Sequence, residues 1–386
     1  MNYKKMKVAI IEPVGGHGGM NYYDFGLAQG LVNSGADVTL YTSDKTIIPK
    51  DKSFKVNLSF RKIWGEGNKA LRAVRFAICL FRTLLDARIQ KVALIHYHFF
   101  HYTRVETLCV LLAQLFGLRI VVTAHDIESF AGEYSDHAAG RILGRVDKII
   151  VHNSVSRREL IEKANLPIAN IEIIPHGNYL NTIPKRPSPS TAKKILNLTS
   201  ADPVLLFFGQ IKEVKGLDLL LQALPPVVAK FPTIKLLIAG KVWKDDFSKY
   251  TNLIREKNLQ NNIDLHIGYI PDEDVAVFYR SADLIVLPYR RIYQSGVLLM
   301  AMSYGLPVMV SDLEGMTEII QNKRNGFVFQ TNNPDNLSEQ LINVLSDQDQ
   351  LQLISQAGHE TVSHQHNWKL IGQQTLKLYQ TVSNRK

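Results

Sequence analysis

The sequence predicts an α/β protein built twice over, with two doubly wound domains that each cover a parallel sheet with helices. Three observations carry that expectation. The chain has 386 residues, more than one domain of about 150 residues accounts for. Short apolar, β-rich runs alternate with stretches of helical period along its whole length. A Pro-, Ser- and Lys-containing stretch without apolar period interrupts that alternation near the middle.

In the first half the strand-like runs are Val8 to Ile11, Val38 to Tyr41, Val92 to His98, Ile120 to Ala124, Ile149 to His152 and Ile171 to Ile174. In the second half they are Val204 to Phe208, Lys235 to Ala239, Ile263 to Ile267, Leu284 to Leu287, Val308 to Val310 and Phe327 to Phe329. Pro184, Pro187, Pro189 and Pro203 mark residues 184–203 as a linker between a first domain, 1–183, and a second, 204–367. Such a partition places a cleft between two sheets whose ligands sit at the carboxyl ends of strands. The loops that follow strands are therefore where chemistry is sought.

Composition narrows the function classes. With 46% hydrophobic and 21% charged residues the chain is neither disordered nor fibrous. Cys79 and Cys109 lie in apolar stretches, too few for a disulfide framework or a zinc cage, and read as buried, reduced thiols of a cytoplasmic protein. The N-terminal apolar run before Glu12 and Pro13 is too short for a signal-peptide core. Leu108 to Leu118, interrupted by Gln114, falls short of the roughly 20 residues that span a bilayer. The net charge of +10 is uneven: residues 1–185 hold 24 Lys and Arg against 16 Asp and Glu, whereas 186–386 hold 21 against 19. That excess favours an anionic partner, whether phospholipid, nucleic acid or a phosphorylated substrate.

The first informative loop is Gly15-Gly16-His17-Gly18-Gly19-Met20, whose glycines let backbone N–H groups and a helix N-terminus approach an anion or a sugar. A dinucleotide site is the rival reading, since Asp44 follows the second strand. Asn21, however, occupies the place of the last glycine of GxGxxG after Gly16 and Gly18. In residues 207–225, FFGQIKEVKGLDLLLQALP, a strand ends at Gly209, and Lys212 and Lys215 precede an amphipathic helix where a diphosphate would meet dipole and ammonium together. After Leu284 to Leu287, residues Gln294, Ser295, Gly296 and Val297 open another helix and offer N–H groups and a hydroxyl to phosphate oxygens.

These pieces occur in an order that resembles glycosyltransferase family 4: Gly18-Gly19 with Leu27-Ala28, Ile174-Pro175-His176-Gly177, FFGxIxxxKG, QSGV, GLPVMVSD, and Glu318 ahead of Asn325-Gly326. The resemblance runs nearly end to end. It implies a GT-B fold, in which two Rossmann-like domains face a cleft, the first binding the acceptor and the second the nucleotide sugar. It also implies that a final helix, here from Trp368 on, crosses back to the first domain. By the same resemblance Gly209, Gln210, Lys212, Lys215, Gln294, Ser295, Gly296, Val297 and Glu318 bind the donor. His17, Gly18 and Gly19 lie against diphosphate or acceptor, and the expected catalytic residues are His125, near the reacting sugar, and Lys215, at the departing diphosphate.

The chain departs from the family pattern in two places. Gln210 stands where many members have arginine, with Lys212 as a substitute, and Ile292 and Met300 stand where many have two glutamates. The expectation is a metal-independent, retaining transfer from a nucleotide diphosphate sugar, with no other cofactor, to a glycan or lipid-linked hydroxyl. The alternative is a catalytically silent subunit that binds nucleotide sugar or supports a partner transferase. His96 and His98 alternate along a strand while His101 lies beyond it, which favours a structural role over a metal site, and Asp272-Glu273-Asp274 reads as the first turn of a helix rather than a metal site. In residues 69–91, Lys69, Arg72, Arg75 and Arg82 recur beside Leu71, Val74, Ile78, Phe81 and Leu85. That pattern fits either a basic amphipathic helix on anionic lipid, hence a peripheral membrane protein, or a surface helix with a solvated basic face. No nucleic-acid recognition motif accompanies the charge.

Overall fold

The computed structural model describes residues 5–15, 20–125, 133–199, 202–292 and 294–384, without the side chains of 133–137. The chain divides into two compact units, Met1–Gly177 with His366–Lys386, and Asn178–Gln365.

The first unit runs β1 (Lys7–Glu12), α1 (Met20–Asn33), β2 (Asp37–Ser43), β3 (Lys55–Phe60), α2 (Lys69–Ile89), β4 (Leu94–Phe99), α3 (Arg104–Leu115), β5 (Ile120–Ala124), α4 (Glu133–Leu143), β6 (Lys148–Val151), α5 (Ser154–Glu162) and β7 (Ile171–Ile173). Its strands are parallel in the order β3-β2-β1-β4-β5-β6-β7. Every residue of β4 and β5 is buried, as strands covered on both faces require. Sequence reading misses β3. It is an edge strand whose Lys55 and Asn57 face solvent, so it shows no continuous apolar run. Cys109 is buried and Cys79 only half-buried, on the flank of α2 rather than in the core.

The second unit takes in the segment expected as a linker. Those residues, 184–203, contain α6 (Pro189–Ile195). Ser188 caps it by accepting from Thr191 N at 3.3 Å, and Pro189 stands in its first turn, where no N–H partner is needed. Arg280 donates to the Pro184 carbonyl at 2.8 Å, and Lys193 pairs with Asp283 at 3.1 Å. These bonds make the segment part of the unit. The prolines that signal an interruption also start a helix.

There follow β8 (Val204–Phe208), α7 (Leu217–Lys230), β9 (Lys235–Gly240), α8 (Ser248–Glu256), β10 (Ile263–Ile267), α9 (Asp272–Ser281), β11 (Leu284–Leu287), α10 (Gly296–Ser303), β12 (Val308–Ser311), α11 (Glu314–Thr317), β13 (Phe327–Phe329), α12 (Pro334–Leu345) and α13 (Gln348–Gln365). The strands are parallel in the order β10-β9-β8-β11-β12-β13. Asp272, Glu273 and Asp274 occupy the first turn of α9, where they complement its dipole.

The last helix, α14 (Trp368–Ser383), belongs to the first unit and packs along α1. The contact is close because it is glycine on glycine: a Cβ on Gly372 would strike the backbone of Gly30, and Cβ atoms on Gly26 or Gly177 would strike the Trp368 indole. Ile371, Leu378, Tyr379 and Val382 complete a core with Val8, Ile10, Leu27, Leu31 and Leu40. In both sheets the strand order reverses beside the first strand, between β1 and β4 and between β8 and β11. Doubly wound sheets bind ligands at the carboxyl ends of the strands at this switch.

Candidate active site

At the switch point of the second unit three stretches of backbone meet with no room for side chains. Gly209 leaves β8 with φ +111° and donates to the Ala239 carbonyl at 3.0 Å. A Cβ on Gly240 would strike the Gly209 carbonyl, and one on Gly216 would strike the Pro288 carbonyl. Gly216, left-handed at φ 66° and ψ 30°, closes a 3₁₀ turn over Glu213–Lys215 and opens α7. Val297 at the start of α10 comes within 3.4 Å of where a Gly209 Cβ would stand. The loop after β8 and the N-terminus of α10, separate in sequence, therefore form one ledge.

Lys215 is held on that ledge with Nζ 3.8 Å from the ring centre of buried Tyr289, a cation–π contact that keeps the ammonium near the helix start. Lys212 is half-buried at the start of the same turn, and Gln210 is exposed. Ser295 modifies its sequence expectation. Its hydroxyl caps α10, accepting from Leu298 N at 3.2 Å, and the side chain is buried. Gln294, Gly296 and Val297 are half-buried beside it. Glu318 is exposed at the C-terminal cap of α11. Asn325 holds the local backbone in shape. It accepts from Gln321 N at 2.7 Å and donates to the Ile319 carbonyl at 2.9 Å, fixing the turn that follows Glu318.

Sequence reasoning misses Arg290, which ties the loop after β11 to the loop after β8. It donates to both carboxylate oxygens of Asp218 at 2.7 and 2.6 Å and to the Glu213 carbonyl at 3.1 Å, and its own N–H reaches the Val214 carbonyl at 2.8 Å. Burial raises the Asp218 pKa, but the hydrogen bonds and charge of Arg290 outweigh burial and leave it below the usual carboxylate range. No periodicity announces a pair 72 residues apart in sequence.

The first unit places a different constellation at its carboxyl ends. His98 on β4, His125 after β5, His152 after β6 and His176 after β7 stand on neighbouring strands, with successive ring centres 5.2, 5.1 and 5.4 Å apart. That step is close to the roughly 4.8 Å between strands. Tyr23 from α1 lies over all four rings at 4.6 to 5.5 Å. His96 bonds Thr123 Oγ1 at 2.7 Å and Tyr379 Oη at 2.6 Å. Asp24 Oδ1 approaches His98 Nδ1 to 2.9 Å, and the carboxyl of buried Glu12 accepts from Val14 N and Gly15 N at 3.0 and 3.3 Å.

Burial governs every charge here. It raises Glu12 to about 8, helped by Asp24, and raises Asp24 itself. It lowers His98 and His152 to about 4 and His176 to about 3, and pushes His96 and His125 well below the usual imidazole range. The histidines are neutral near pH 7. His17, Gly18 and Gly19 lie outside the described residues. Among the described residues no group of His, Cys, Asp and Glu is arranged to hold a metal ion.

The outer face of α2 is the third feature. Leu71, Val74, Ile78, Phe81, Leu85 and Ile89 recur every three or four residues and are each 40 to 66% exposed. Leu80, Thr83, Leu84 and Ala87 form the buried side. At about 100° per residue, Arg75 and Arg82 flank the exposed stripe on one side and Arg88 on the other. Phe81 meets Phe116 at 5.3 Å, and Leu111 and Leu115 extend the stripe onto α3. The helix carries one acidic residue, Asp86, which accepts from Tyr41 Oη at 2.6 Å. No helix among the described residues is long and apolar enough to cross a membrane.

Comparison with known proteins agrees with this architecture. The model for glycosyl transferases group 1 matches residues 190–361, and that for glycosyltransferase family 4 matches residues 17–179. An uncharacterized glycosyltransferase of Methanocaldococcus jannaschii is 24% identical over 97% of this chain and 98% of its own. The phosphatidyl-myo-inositol mannosyltransferase of Mycolicibacterium smegmatis is 30% identical over 46% of this chain and 45% of its own. Among solved structures, Anabaena HepE in complex with UDP-glucose superposes with a TM-score of 0.77 at 18% identity, covering 97% of this chain and all of that one. Two parallel sheets with their loops at the switch points, matched by both family models, make this chain a GT-B glycosyltransferase of the group 1 and family 4 type.

Proposed function

We propose that this glycosyltransferase moves a hexosyl group from a nucleotide diphosphate sugar to a hydroxyl of a glycan or lipid-linked acceptor, with retention and without a metal or other cofactor. The observation that carries the donor half is the ledge on which Gly209, Lys215, Gly216 and Val297 converge. When the bond from the anomeric carbon to the diphosphate breaks, its electron pair leaves with the diphosphate. Lys215, with Lys212 and the N–H groups at Gly296 and Val297, stabilises that charge. The acceptor oxygen then bonds to the anomeric carbon and its proton passes to an oxygen of the departing diphosphate. HepE, a structural neighbour, is known in complex with UDP-glucose, which fits this assignment. Gln210, Gln294 and Glu318 stand as further donor contacts, His17, Gly18 and Gly19 as the loop against diphosphate or acceptor, and His125 beside the transferred sugar.

The lipid-linked half rests on the exposed stripe of α2. Apolar side chains between arginines suit the interfacial region of an anionic bilayer, whereas a second copy would set arginine against arginine. A cytoplasmic enzyme held at the inner membrane face follows, and the relative from Mycolicibacterium smegmatis is named for a phosphatidyl-inositol acceptor.

Thermal stabilisation by UDP, GDP, ADP and dTDP and their sugar conjugates tests the donor; a ligand at 100 times its dissociation constant adds about 2.7 kcal/mol. Response to one base, followed by donor consumption with lipid extracts, supports the reading. Binding without consumption favours the second reading, a silent subunit, which the apolar Ile292 and Met300 motivate. Flotation with phosphatidylglycerol vesicles tests the membrane half. Failure to bind at low salt, or binding unchanged by Arg75→Glu with Arg82→Glu, rejects it.

A further inference from the structure

The histidines of the first unit fix one another's protons. His152 Nδ1 lies 2.9 Å from the Ile174 carbonyl oxygen, which only accepts, so the proton of this imidazole is on Nδ1. Near neutral pH a buried imidazole with its pKa near 4 carries that one proton, and His152 Nε2 is a bare acceptor. It faces His125 Nδ1 at 3.4 Å, a long bond. Two lone pairs gain nothing from that approach, so the proton of neutral His125 sits on Nδ1 and its Nε2 is bare. The His125 ring is held in place, stacked on Phe100 at 4.8 Å and 9° and met by the edge of Tyr23 at 4.6 Å. Among the described residues its buried Nε2 has no hydrogen-bond partner, an arrangement that costs free energy until a donor arrives.

We propose that His152 is a positioning residue that fixes His125 as the Nδ1–H tautomer, so that His125 Nε2 accepts a hydrogen bond from a hydroxyl of the bound substrate. The Ile174 carbonyl orients His152, His152 orients the proton of His125, and His125 presents a lone pair. A neutral imidazole in this state selects for a donor and against an acceptor, which suits a sugar hydroxyl and not a phosphate oxygen. The tautomer follows from this unit alone. Its effect on turnover rests on the proposed sugar transfer and on His125 touching substrate.

The test is selective ¹⁵N-histidine labelling of the full chain with long-range ¹H–¹⁵N correlation, His125 being assigned by loss of its signals in His125→Asn. The expected spectrum has His125 Nδ1 protonated and Nε2 bare; a protonated Nε2 overturns the proposal. His152→Phe keeps an aromatic ring and removes both nitrogens. It should move His125 toward the Nε2–H form and lower kcat about tenfold with KM within about twofold. His152→Gln, whose amide can donate to Ile174 and accept from His125, should restore most of kcat. A folded His152→Phe with an unchanged His125 tautomer also overturns the proposal. Should that variant not fold, the wild-type spectrum decides. Failure of the transfer reading looks different: the expected tautomer in a protein that consumes no donor.

Discussion

The two units finish the carboxyl ends of their sheets in opposite ways. In the first, polar side chains are taken out of water: Glu12, Asp24 and the histidines at 96, 98, 125, 152, 176 and 366 are buried with their charges suppressed. In the second, side chains are removed from the centre. Glycine backbone is packed against backbone, and the charges, Lys215 and the Arg290–Asp218 pair, are kept at the rim. One surface is built to hold protons still, the other to leave N–H groups and ammonium available to an anion. The contrast teaches that equal topology does not impose equal electrostatics.

Acid should break that comparison most strongly. The six buried imidazoles have lowered pKa values, so the stability they confer is fully present above their unfolded value of about 6.5 and is lost as pH falls toward 4 and below. Each contributes at most about 1.4 kcal/mol per pH unit. Glu12 and Asp24, raised instead, act with the opposite sign and cost stability as pH rises toward 8, but they are fewer. The first unit is therefore expected to lose several kcal/mol between pH 6.5 and 5 while the second is nearly unchanged. Hydrogen exchange read by mass spectrometry resolves the two, and equal loss of protection in both units would refute the expectation.

Next in size, Lys215→Ala should lower kcat/KM about 10² to 10³-fold with the melting temperature little changed. Full turnover would remove the ledge from the mechanism. Gly216→Ala places a methyl against the Pro288 carbonyl at a left-handed position and should cost about 2 kcal/mol or more in urea unfolding. Gly268→Ala, which has open space around it, is the control and should be nearly neutral. Arg290→Met should be the smallest effect, about 1 kcal/mol at neutral pH for a part-exposed pair. Because Asp218 is held below its ordinary pKa, that stability exists above about pH 4 and disappears as pH falls through the folded value. A difference between wild type and Arg290→Met that persists at pH 2 would assign the loss to packing instead.

Legibility in the sequence follows the same division. The ledge is local: Gly209, Lys215 and Gly216 fall within eight residues, and Ser295-Gly296 open a helix after a strand, so turn chemistry marks them. Only the use of the Ser295 hydroxyl as a cap differs, because the helix claims it first. The histidine cluster draws one residue from each of several strands, spaced about 25 residues apart, and only the pairing of β4, β5, β6 and β7 brings them together. His125 is recognisable from the family resemblance, and His152, its partner, is not. Edge strand β3 and helix α6 escape sequence reading for a different reason. One is half exposed and the other begins with the proline that signals a break.

The return of α14 to α1 has a consequence for how the chain is made. The first unit begins earlier along the chain than the second, yet its core lacks Ile371, Leu378, Tyr379 and Val382 until residues 371–382 leave the ribosome. The second unit is contiguous and can close earlier. During synthesis the unit translated first is thus the last to be completed, and a ribosome that stops short of residue 366 releases a chain whose buried histidines have no finished interior to enter.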